Sequence, residues 1–226
     1  MTLTAQKNER TTTSPGATWR GFWSALPDFF LAAQFLIMWI DPHIIGARFL
    51  PLYIGLMVAE FVVIHSSVFL GNVAYGSGDK KFKLIAILGL AAFYSLFFLG
   101  ICLALGEWYY MFGFWLLIGN RLLGVTLGQA PDGEEKAFIM RGWAASLVFY
   151  LLGVFVTLLV PQPQFGITDE IQSRYSLPGE GEWTDNPHTA IAFGFFYYTM
   201  VGWSELLGHR WFANVKMQTA KGGISD

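Results

Sequence analysis

Six polar side chains lie in or at the edge of long apolar stretches of this chain: Glu60, His65, Asn120, Arg121, Glu205 and His209. A charged group at membrane depth costs about 2.5 to 3.5 kcal/mol on insertion scales, so each needs a partner or a purpose. Glu60, set among Val58, Ala59, Phe61 and Val62, is a carboxyl group able to take up and release a proton. Arg121 stays charged at any working pH. It must therefore reach the headgroups beyond Gly128, or pair with Glu60 or Glu205; paired with Glu60, it makes a proton or anion relay.

Metal chemistry is a second option. Glu205 and His209 are four residues apart and share a helix face, as two ligands would, and His65 is a third candidate from another helix. Glu60 and His65 are five apart, about 140° around a helix, and cannot serve one ion together. The Glu-x-x-His pair of di-iron bundles is absent. The plainer alternative is that Glu205 and His209 neutralise Arg210, while His65 donates to a neighbouring carbonyl.

The elements that carry these groups are membrane spans. Hydrophobic residues make up 54% of the 226 positions and charged residues only 13%, against about 25% charged in an average soluble domain. Windows of about 20 apolar residues match a bilayer core of roughly 30 Å. Six are found, over about 24–40, 49–73, 84–105, 108–127, 142–160 and 189–207, which gives an all-α integral membrane bundle of six transmembrane helices within 19–212. The first is expected to open at Pro27-Asp28, with proline in the first turn. Only Gly106-Glu107 separates the third and fourth, which form an antiparallel hairpin. Residues 1–18 lack the apolar core of a signal peptide and read as a disordered cytoplasmic tail, with a second cytoplasmic tail at 213–226.

Basic residues favour the untranslocated side. With the N-terminus inside, the inner segments hold Lys7, Arg10 and Arg20, then Lys80, Lys81 and Lys83, then Lys136 and Arg141, then Arg210, Lys216 and Lys221; only Arg48 and Arg174 fall outside. Both termini are therefore expected to be cytoplasmic, in a bacterial-type inner membrane. Spans two, four and six then all run inward, placing His65, Arg121 and Glu205 at similar depth, with Asp28 level with them. The acidic outer loop 161–188 is long enough to cap the outer face or meet a partner.

Gly124 and Gly128 have the small-residue spacing that permits close helix approach. Trp19, Trp23, Trp39, Trp108, Trp143 and Trp211 read as interfacial anchors. The aromatic runs at 93–98 and 193–198 put rings all round a helix, and lipid is their simplest partner, with a neighbouring subunit, quinone or pigment as alternatives.

A net charge of −2 provides no basic field for nucleic acid. One cysteine, Cys102, excludes an internal disulfide. No nucleophile triad, metalloprotease helix or phosphate loop stands in its required context, and inverted repeats are not evident. A non-enzymatic role follows, with no cofactor required by the sequence, although contact with haem, pigment or quinone remains open. The leading expectation is an accessory or scaffolding subunit of a larger membrane complex, respiratory or photosynthetic, whose partners are the lipid bilayer and other membrane subunits. The alternatives are a small proton-coupled transporter or channel using Glu60, His65, Arg121 and Glu205, and a metal- or haem-binding redox protein using His65 and His209 with Glu205.

Overall fold

The computed structural model describes residues 15–76, 78–128, 133–175 and 180–212, and among these it is helical with no strand. The long helices are α1 (Pro15–Ile40), α3 (Leu50–Tyr75), α4 (Lys80–Leu105), α5 (Tyr109–Leu127), α6 (Gly133–Leu159) and α9 (Pro187–Leu206). Short helices α2 (Pro42–Ile45), α7 (Asp169–Arg174) and α8 (Glu182–Asp185) sit in the connections. The expectations for residues 1–14 and 213–226 lie outside the described residues.

Five segments are long and apolar enough to cross a membrane: Gly21–Ile40, Ala47–Tyr75, Lys80–Leu105, Tyr109–Leu127 and Gly133–Leu159. They mark a multi-pass membrane protein. Their outward surfaces agree with a lipid solvent, since Leu96, Leu103, Phe112 and Leu159 are 65%, 69%, 66% and 79% exposed, a cost in water that hydrocarbon removes.

Helix ends follow local chemistry. Asp79 caps α4 by accepting from the Phe82 amide at 3.2 Å, and α5 and α4 end on left-handed glycines, Gly128 and Gly106, which need no Cβ there. The expected α4–α5 hairpin forms across Gly106, and Lys80 Nζ donates to the Thr126 carbonyl at 2.8 Å to tie its open end. Two helices are longer than their hydropathy windows. α6 is helical from Gly133, well upstream of the apolar window, and its Glu134 and Glu135 suit a helix N-terminus although they add nothing to hydropathy. α1 begins at Pro15, not near Ser24, so residues 15–18 are helical rather than tail and Pro27 lies inside the helix. Proline removes one backbone donor, and α1 continues upstream of it along α9.

That α1–α9 seam is the most extensive helix pairing in the bundle. It is antiparallel: Gly21 meets the Leu206 carbonyl, Gly202 faces Asp28 and Phe29, and Gly194 is filled by the ring of Phe35. Close approach thus falls on Gly21, Gly194 and Gly202. A Cβ at Gly124 or Gly128 would meet nothing within 4 Å, so that pair serves no helix interface among the described residues. Gly153 is a further contact point, packed against Phe193 and Phe196.

Two hydrophobic clusters share α3 as a common wall. One joins α1, α6 and α9 to α3, centred on Phe35, Met57, Tyr150, Phe193 and Tyr197. The other joins α4 and α5 to α3 through Leu70, Ile87, Phe98, Phe114 and Ile118. The connection at 161–188 is partly built into the first cluster: Ile167 and Ile171 are buried, Trp39 Nε1 donates to the Pro163 carbonyl at 2.8 Å, and the Gly166 amide donates to the Trp39 carbonyl at 3.1 Å.

Candidate functional site in the clefts beside α3

Because α3 serves two clusters, clefts open where the clusters separate, and the polar residues of α3 divide between them. Glu60 faces one and His65 another, as their 140° separation requires.

Glu60 is partly buried, and its Oε1 accepts a hydrogen bond from the Tyr197 hydroxyl at 2.8 Å. Tyr198 is also close enough to interact electrostatically with the same carboxylate. The rings meet edge to face in a wall, Tyr197 with its centroid 4.9 Å from Tyr198 and 5.6 Å from Tyr150. Tyr150 is held in turn by donating to the Met57 carbonyl at 2.7 Å. A cavity of about 230 Å³ runs from Glu60 past Ser146, Ser67 and Asn72 to Arg121 and Lys136. On its other side Glu60, with Val63, borders an apolar groove of about 430 Å³ that extends along α3 and α5 to Tyr109 and Tyr110.

Glu205 lies behind this wall. Ser24 donates to its carboxylate, and the carboxyl of Asp28 lies within hydrogen-bonding reach of it, with Glu60 close enough to interact electrostatically with Asp28. Three acids from α1, α3 and α9 therefore share one neighbourhood.

Arg121 pairs with neither Glu60 nor Glu205. It donates to the Tyr75 hydroxyl and lies over that ring at 5.5 Å from its centroid. Asn120, its neighbour, is exposed. His65 is exposed in an apolar cleft, stacked on Phe61 at 6.0 Å and flanked by Phe69 and Tyr94. His209 is buried just beyond α9, with Nδ1 3.0 Å from the Ser204 hydroxyl and its ring 4.8 Å from Phe138. Burial pushes its pKa below the ordinary value, Glu205 opposes this, and Arg141 reinforces it. His65, Glu205 and His209 are not gathered into one ligand set, and among the described residues no group of three His, Cys, Asp or Glu side chains could hold a metal ion.

The chain matches no family, no curated protein and no solved structure in comparisons with known proteins.

Several site residues escaped sequence reasoning. Asp28 read as a helix opening level with Glu205 but with no partner assigned, and the 193–198 run read most simply as lipid-facing. In the fold Phe193, Tyr197 and Tyr198 are all but fully enclosed. Two adjacent tyrosines in mid-helix were the available signal, since each hydroxyl at membrane depth needs a partner.

Proposed function

We propose that the protein is a small proton-coupled transporter or channel in which Glu60 carries the proton. The observation behind this reading is that Glu60 borders both the polar cavity toward Arg121 and Lys136 and the groove toward Tyr109 and Tyr110. A proton entering past Asn72 and Ser67 adds to the Glu60 carboxylate and neutralises it; its release restores the anion, which the Tyr197 hydroxyl stabilises by hydrogen bonding. Asp28 and Glu205 provide a second acceptor beside it.

In this reading α9 is the sixth crossing. It has 20 residues, about 30 Å of helix, and it lies antiparallel along α1 over nearly its whole length. Its polar residues lower its hydropathy because they face protein rather than lipid. Both termini then lie on the side of the basic connections, the inner face of a bacterial-type membrane. An impermeant maleimide tests this in a Cys102→Ala background: Glu180→Cys should react from outside and Glu134→Cys only after lysis, and the reverse pattern refutes the orientation.

Proton flux is the functional test. Proteoliposomes driven by a potassium potential should acidify with the native chain and not with Glu60→Gln, read with an internal pH dye. Equal flux in both removes Glu60 from the path. A second reading, an accessory subunit of a larger inner-membrane complex of the energy-transducing kind, draws support from the α4–α5 hairpin, which offers exposed Phe93, Phe97 and Phe112 to a neighbour. Absence of flux together with stoichiometric co-migration with a complex on native gels would favour it.

A further inference from the structure

The cleft on the other side of α3 is not used by the proton path. Its floor is α3, from Ile54 and Val58 to Phe61 and His65; one wall is α4, from Tyr94 to Ala104, and the other is α6, from Tyr150 to Leu158. Two contiguous spaces of about 440 and 350 Å³ share Val58 and Trp183. From His65 to Ile54 is eleven residues, so the groove is about 16 Å long. At its outer part Trp183 of α8 closes over it, its ring held 5.4 Å from Phe193.

One feature makes this more than a lipid-facing groove. The His65 imidazole is a strong hydrogen-bonding group at membrane depth, and no group among the described residues hydrogen-bonds it: its neighbours are the rings of Phe61, Phe69 and Tyr94. In hydrocarbon such a group needs a polar partner, and a saturated acyl chain has none to give. The same surroundings are flat and aromatic, and the rest of the groove is elongated and apolar along α3, α4 and α6, with Glu180, Glu182 and Thr184 of the outer connection at its rim. An occupant that satisfies all three has a planar ring, a carbonyl or hydroxyl on that ring, and a long apolar tail.

We infer that this groove is a binding site for a prenylated quinone, with a ring carbonyl oxygen accepting from the His65 imidazole N–H, the ring against Phe61 and Tyr94, and the tail lying toward Ile54 and Ala104 under Trp183. Binding requires no electron transfer and does not depend on the proton path, which lies in a different cleft.

The test is titration of the full chain in lipid nanodiscs with a short-tailed ubiquinone, read as quenching of tryptophan fluorescence. The native protein should show saturable quenching, and Trp183→Phe should lose most of the saturable part. His65→Leu should weaken binding at least tenfold, and His65→Gln, which keeps a hydrogen-bonding group, should recover much of it; unchanged melting temperatures show that these variants fold. Quenching that is not saturable, or is equal in His65→Leu, overturns the proposal. So does equal competition by a ringless polyprenol, which would make the groove a site for lipid tails alone. Loss of proton flux in Glu60→Gln should leave quinone quenching unchanged, so either reading can fail without the other.

Discussion

The Tyr197 hydroxyl and the Glu60 carboxylate, 137 positions apart in the chain, meet at 2.8 Å. Removing that hydroxyl leaves a carboxylate short of a donor, at a cost of about 1 to 3 kcal/mol. Tyr197→Phe should therefore lower stability in detergent by that amount, while in a Glu60→Leu background the same change should cost much less. Equal costs in the two backgrounds, measured by a double-mutant cycle, would mean that the hydroxyl does not act through Glu60.

The α1–α9 seam predicts a contrast between glycines. A side chain at Gly194 would occupy the space of the Phe35 ring, whereas one at Gly124 would enter open space. Gly194→Leu should destabilise the protein by about 1 to 3 kcal/mol or more through overpacking, and Gly124→Leu should be nearly neutral. Thermal unfolding of the two variants in the same micelle decides it; similar losses would contradict the seam.

Acidification should weaken the inner end of α9. His209 is held below its ordinary pKa of about 6.5 by burial, so the unfolded chain binds its proton first. Its effect is absent above about pH 6.5, and stability is lost as pH falls from there toward the folded pKa. His209→Asn tolerates the positive φ of 53° at this position and should flatten, without abolishing, the fall in melting temperature between pH 7 and 5. An unchanged slope would show that His209 does not contribute.

The outer connection should resist proteolysis where it is docked. Arg174 ends α7, which is anchored by buried Ile171. Trypsin should cut after Arg174 slowly in the native protein and several times faster in Ile171→Asp, read by mass spectrometry of the fragments. Equal rates would mean that the buried side chain does not hold this helix.

The sequence alone determined the helices and the solvent they suit. Apolar runs of bilayer length, separated by basic or glycine-rich turns, specify spans locally, because backbone hydrogen bonds in hydrocarbon are met within each helix. The α4–α5 hairpin is legible for the same reason, its turn being only a few residues long. The 140° between Glu60 and His65 around their helix was also visible, and it argues against the two sharing one ion.

Only the tertiary structure decided which polar groups meet. Arg121 lies against Tyr75 of α3 rather than an acid, and Asp28 and Glu205 come together because α1 and α9 pack antiparallel through Gly21, Gly194 and Gly202. Hydropathy cannot convey this, since it averages over a helix's circumference and does not tell a ring facing lipid from one facing another helix. Phe97 and Tyr197 sit in similar aromatic runs, yet one is half exposed and the other enclosed. The difference arises from packing: α4 has protein on one side only, whereas α9 is surrounded by α1, α3 and α6.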